Sequence, residues 1–209
     1  MRHLAATAVT LAGFTRLSRS LSTGRHSVLM FHGVRDHDDP RMLDHDLHIP
    51  AELFSSVCRH LARRSNVVPL SNMVDALEQG RPLPEGAVAL TFDDGYASNF
   101  ELAHPLLMRF ELPATIFPAT GFLDGENLLW FNQVDYALAN TRRDSLPAEF
   151  AGNAGPLPLT TRGEKHLALQ HVLGVAKHLP QEQVAGFVAG LETALDARLR
   201  DCATPPDAL

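Results

Sequence analysis

Val88–Asn99 reads VALTFDDGYASN, and the stretch Leu90–Tyr96 (LTFDDGY) within it decides how the chain is expected to fold. Ala87–Phe92 (AVALTF) is an apolar run of the length of a buried strand, and it delivers two adjacent carboxylates, Asp93 and Asp94. Ionisable groups at the end of a buried strand are costly unless something uses them. In a parallel sheet, open or closed, that end of the strand is where sites assemble. Gly95 permits a sharp turn, so both side chains can approach one site although neighbours on a strand point to opposite faces. The chemistry that suits such a pair is a division of labour. One carboxylate ligates a divalent metal, and the other accepts a proton from metal-bound water. The bland alternative makes the pair an acidic first turn for the following helix. Phosphotransferases that place acids at a strand end space them Asp-x-Asp, and the contiguous acids here exclude that reading.

Working outward, Ser27–Phe31 (SVLMF) reads as a buried strand running into His32–Gly33, and Val67–Leu70 as a second, short strand. Ala114–Ala119 (ATIFPA) is a further strand. Between them lie helical stretches: Pro50 to about Arg64, a segment N-capped by Ser71 and closed by Gly80, and Ala97–Phe110. Pro105 requires the last of these to kink or restart. Asp36–Asp46 is an acidic loop whose spacing does not match an EF-hand. The alternation predicts an α/β fold with a mainly parallel sheet. From Trp130 onward the pattern is helical: Trp130–Asn140, a helix from the Thr161/Glu164 capping box through His178, and a stripe of Val184, Phe187, Val188, Leu191, Leu195 and Leu199. Asp144–Leu159 is a connection rich in Pro and Gly, and the whole tail reads as an insertion or lid.

Composition sets wide bounds. The chain has 209 residues with a net charge of −6, ordinary for one globular domain and unlike a nucleic-acid binder. Two cysteines, Cys58 and Cys202, are too few for a disulfide framework, and Cys58 lies on the apolar stripe Leu53, Phe54, Val57, Leu61 as a buried thiol. No apolar run approaches the roughly 20 residues that span a bilayer. Residues 1–26 carry Arg2, Arg16, Arg19 and Arg25 without an acid, with Leu4, Leu11, Phe14, Leu17 and Leu21 at helical spacing. A basic amphipathic helix, packed on the domain or at a membrane surface, is expected there; a signal peptide and a transit peptide compete with it.

SVLMFHGV (27–34), VVPL (67–70), VALTFDDGYASN (88–99) and LPATIFPATGFLDG (112–125), in that order, resemble the polysaccharide deacetylase family, the NodB-homology or carbohydrate esterase 4 fold. The likeness covers roughly residues 27–140, and NLLWFNQVDYALANT (127–141) is similar to a bacterial branch with a helical insertion at this point. The resemblance implies a partial distorted (β/α) barrel over residues 27–126, a helical C-terminal insertion over 127–209, and hydrolysis of N-acetyl groups from a carbohydrate. It implies that Asp93 is the general base and Asp94 a ligand of a divalent metal, commonly zinc. Two further ligands in the family come from a later His-[Ser/Thr]-x-x-His, which does not occur after Asp94. His166 and His171 lie five apart, off the same-face spacing of a helix. The chain is therefore expected to be an N-terminal fragment with an incomplete zinc site and little or no activity.

Other residues carry two readings each. His32 lines the rim shared with Asp93 and Asp94, or is a hydrogen-bonded structural histidine. Tyr96 and Asn99 contact substrate or cap the next helix, with capping expected of Asn99. Trp130 and Phe131 stack on a sugar face or pack in the core. A non-catalytic carbohydrate-binding module of the same fold, and an amidohydrolase acting on a small amide or nucleotide-linked sugar, are the competing functions. The compartment stays open between the cell envelope outside the cytoplasm and a membrane-associated position inside it.

Overall fold

The computed structural model describes residues 26–123 and 129–202. Nearly all of the basic segment expected over residues 1–26 lies outside these, as do residues 127–128 and 203–209 of the expected insertion. In chain order the strands are β1 (Ser27–Phe31), β2 (Gly33–Arg35), β3 (His48–Pro50), β4 (Asn66–Val67), β5 (Ala87–Asp94), β6 (Thr115–Pro118), β7 (Ser145–Leu146) and β8 (Leu157–Pro158). The α-helices are α1 (Ala51–Arg64), α2 (Leu70–Glu78), α3 (His104–Arg109), α4 (Thr120–Leu123), α5 (Trp130–Asn140), α6 (Arg162–Ala176) and α7 (Gln181–Leu195). The class is mixed α/β, as expected. The main sheet has the order β1-β5-β4, with β6 also paired to β5, and the described residues form no closed barrel.

β4 and β5 run parallel, with Asn66 opposite Ala87 and Val67 opposite Val88. Contacts divide the chain into two compact units, and β5 passes from one to the other at Thr91/Phe92. In the first unit Met73, Ala87 and Ala89 form a small core, flanked by Val68, Leu70 and Leu83. Cys58 is fully buried, and burial pushes its thiol up to about 11, in keeping with an inert structural thiol.

The second unit holds the larger core. Val134, Leu138, Leu169, Val172, Val188, Leu191 and Leu195 from α5, α6 and α7 close on one another with Leu146 of β7 and Leu159, the residue after β8. The capping box is present: Thr161 Oγ1 accepts from the Glu164 amide, and the Glu164 carboxylate accepts from the Thr161 amide. A separate cluster joins Phe31, Phe54 and Phe92, with ring centroids 5.3–5.7 Å apart. β2 and β3 pair in parallel, Gly33 opposite His48, and Gly33 is close enough to the His48 ring that a Cβ there would collide with it.

Several local expectations are corrected, while the restart expected at Pro105 is found. Leu70 starts a helix instead of ending a strand, and Pro69, extended at ψ 139°, stands at its N-terminus in place of Ser71. Ala97–Phe110 is interrupted: a π-helical turn over Asn99–Ala103 gives way to α3, which places Pro105 in its first turn. Asn99 makes no cap; it is 3% exposed, and neither polar atom of its amide has a partner. β1 and β6 are strands as expected but are not buried, with Val28, Met30, Ile116 and Phe117 about half exposed because no described element covers them. The acidic loop is bracketed by β2 and β3, a pairing too short to leave a periodic signal. The tail is not wholly helical, since β7 and β8 lie within the expected connection, and Leu199 falls in a separate turn beyond α7.

Candidate functional site

β5 carries its last two residues, Asp93 and Asp94, out of the buried part of the strand, where both become half-buried. The Gly95 amide then donates to the Asp93 carbonyl at 2.9 Å, and Asp94 between them sits at φ +71°. That combination is the rarer γ-turn, strained for a residue with a Cβ. Gly95 follows at φ +83°, a region where only glycine is at ease. The Ala119 amide donates to the Asp94 carbonyl at 3.0 Å and ties the turn to the end of β6. The turn anticipated at Gly95 thus begins one residue earlier, at the carboxylate itself.

Asp94 lines a cavity of about 350 Å³ within the second unit. His32, Trp130 and Phe131 line the same cavity, so Asp94 meets three of the other residues singled out from sequence there. Asp93, Gly95 and Tyr96 do not line it. For Asp93 the strand geometry is the reason, since adjacent side chains point to opposite faces. Burial pushes the Asp94 carboxyl above the ordinary range; His32 opposes this and the Asp93 charge adds to it. The two acids are therefore electrostatically coupled although only one faces the cavity.

Tyr96 supports the cavity from beneath. It is 2% exposed, its ring meets the edge of His48 at 4.6 Å, and its hydroxyl lies 3.3 Å from the donating amide of Asn132. Its hydroxyl is pushed up by burial and remains a neutral phenol. His48 and Asn132 both line the cavity, so Tyr96 acts through them rather than on a ligand. Trp130 is half-buried at the N-terminus of α5, set edge-on to Phe131 with centroids 5.7 Å apart, and it also packs against the helical core. Trp130 therefore packs on the core, as one of its two readings has it, and also lines the cavity.

Sequence reasoning missed part of the wall. His45 lines the cavity with Nε2 buried and lacking a hydrogen-bond partner, and burial lowers its pKa, with Arg35 and Arg162 adding to the effect. Asp135 also lines it, 5% exposed, with its carboxyl pushed up to about 6 chiefly by burial. A signal for His45 existed in the density of His and Asp over Asp36–His48. Asp135 offered none, because a single acid on an amphipathic helix reads as a solvated face.

Among the described residues no group of three His, Cys, Asp or Glu side chains is placed to hold a metal ion. This donor set does not by itself fit a zinc site, which takes at least three protein ligands.

Residues 80–140 match the family model described as polysaccharide deacetylase. Poly-beta-1,6-N-acetyl-D-glucosamine N-deacetylase of Escherichia coli K12 is 42% identical over 57 residues, 27% of this chain. The protein of that name from Escherichia coli O157:H7 gives the same figures. The match spans 8% of the length of these curated relatives. A de-N-acetylase from Aggregatibacter actinomycetemcomitans superposes with 28% identity over 64% of this chain and 45% of that one, TM-score 0.41. A Streptococcus pyogenes deacetylase solved with acetate gives 15% identity, 79% and 80% coverage, and TM-score 0.44.

Proposed function

From a chain that belongs to the polysaccharide deacetylase family, we propose that the Asp94 cavity receives an N-acetylated sugar and that the reaction served is hydrolysis of its acetamide. The observation that carries the proposal is the γ-turn at Asp94, whose strained backbone presents a carboxylate to a cavity also lined by His32 and Trp130. Backbone strain of this kind persists where the surrounding structure imposes it, and it concentrates at functional sites. The curated relatives are named for poly-beta-1,6-N-acetyl-D-glucosamine, which makes N-acetylglucosamine polymers the first substrate class to examine.

In the proposed reaction, water adds to the acetamide carbonyl carbon while a general base takes its proton. The C–N bond then breaks, acetate leaves, and the sugar amine departs with a proton. The resemblance assigns the base to Asp93, which stands beside the cavity and not in its lining, and gives Asp94, which does line it, the role of metal donor. A lone carboxylate does not retain zinc. We therefore expect weak zinc binding and little acetate release from residues 1–209, and no part of the proposed reaction is assigned to a metal. The partial distorted barrel remains the proposed frame for β1, β5 and β6.

Saturation-transfer NMR with N-acetylglucosamine oligomers tests the substrate class. The acetyl methyl is expected to receive the strongest transfer, and glucosamine oligomers little. Equal transfer to both would remove the acetamide from the reading and favour a general carbohydrate-binding module.

A further inference from the structure

Part of the wall of the Asp94 cavity is built from the acidic loop, with Met42, Asp44 and His45 among its lining residues. Loops of this kind are normally the mobile parts of a fold. Here five consecutive residues each have a backbone group held by a side chain of α5 or α6. Arg162 donates to the carbonyls of Pro40, at 3.1 Å, and Met42, at 2.5 Å. Asn140 donates to the Arg41 carbonyl at 2.8 Å. The Asp135 carboxylate accepts from the Leu43 amide at 2.6 Å and the Asp44 amide at 2.9 Å.

We infer that α5 and α6 act as a clamp on Pro40–Asp44, and that Asp135 is the positioning residue that fixes this loop as the cavity wall. Three features single out Asp135. It grips two successive amides with its two oxygens, it is 5% exposed, and it lines the cavity from the side of α5. The charged groups that act on it are Asp44 on the loop and Arg162 on α6. A carboxylate is suited to this task because it is acceptor-only and can meet two donors at once. A neutral amide of the same size offers one acceptor oxygen and turns a donor toward the second N–H. The helical segment that reads from sequence as an insertion or lid thereby becomes part of the site's scaffold. The consequence for a sugar ligand rests on the proposed function, whereas the clamp stands without it.

The test is Asp135→Asn, read by amide hydrogen exchange and by affinity for N-acetylglucosamine oligomers. Exchange at Leu43 and Asp44 is expected to accelerate roughly 10- to 100-fold, the range for loss of a charge-assisted hydrogen bond. Core amides of α6 and α7 should keep their protection, and oligomer affinity should fall. Unchanged exchange at Leu43 and Asp44, or equal acceleration throughout the second unit, would overturn the inference. Should the variant not fold, the intact chain supplies the readout: the Leu43 and Asp44 amide resonances should shift together with Asp135 protonation, and resonances that do not move would overturn it. If the loop is released while neither protein binds the oligomer, the clamp stands and the substrate reading falls.

Discussion

The amide of Gly95 lies 2.9 Å from the carbonyl of Asp93, and the short ring it closes forces Asp94 to φ +71°. A Cβ in that region costs about 1–3 kcal/mol. Asp94→Gly removes both this strain and the burial of a carboxylate. It is expected to leave thermal stability unchanged or raise it, by up to about 1 kcal/mol after glycine's unfolded-state entropy is counted. The same change should abolish whatever affinity for N-acetylglucosamine oligomers the chain has. Thermal melts beside oligomer titrations check both, and a destabilised variant would show that the turn is not under strain.

Gly33 faces the His48 ring across the β2–β3 pair, with no room for a side chain. Gly33→Ala must displace that ring, which lines the cavity and meets Tyr96 edge-on. Overpacking of this kind costs about 1–3 kcal/mol. A denaturant midpoint equal to that of the parent would refute the close approach.

Asp135 gives a pH dependence of defined sign. Its carboxyl is at about 6 in the fold against an ordinary 3.8, so the folded chain holds a proton that the unfolded chain has already lost. The associated stability is full below the ordinary value and is lost as pH rises through about 6. Asp94 and Glu192, also raised by burial, act in the same direction, whereas His45 acts oppositely near neutrality. The difference in stability between parent and Asp135→Asn should therefore change between pH 4 and pH 7 in the parent's disfavour. A flat difference would show that the buried carboxyl titrates normally.

Thiol chemistry separates the two cysteines. Cys58 is fully buried with its thiol at about 11, whereas Cys202 is partly accessible. Iodoacetamide at neutral pH should modify Cys202 in the folded chain and reach Cys58 only on unfolding. Mass spectrometry of the labelled peptides decides it.

Much of this was legible in the chain. The β5 run, the paired acids, the turn glycine, α5 and the Thr161/Glu164 box follow from local patterns that tertiary context did not override. What local patterns missed depends on contacts distant in sequence. Asp135 meets Leu43 and Asp44 across more than ninety residues, and nothing in its own helix marks it for that role. β2 and β3 are three residues each, too short for a period to emerge, and their pairing is what brings Gly33 and His48 together. The exposure of Val28, Met30, Ile116 and Phe117 was also hidden, because an apolar run states a preference for burial and not whether a covering element is present. Among the site residues, Asp94 and His32 line one cavity, and Trp130, read from sequence as part of the insertion, lines it too. Tyr96 turned out to be a buried prop for His48 and Asn132.

Trp130 is the chain's single tryptophan and lines the Asp94 cavity, so its fluorescence reads the proposed site alone. Titration with N-acetylglucosamine oligomers, with glucosamine oligomers as the control, tests the central claim most directly. The account predicts a saturable change in Trp130 emission with the acetylated oligomers only, abolished in Asp94→Gly. No change, or the same change with both oligomers, would contradict an acetamide site at Asp94.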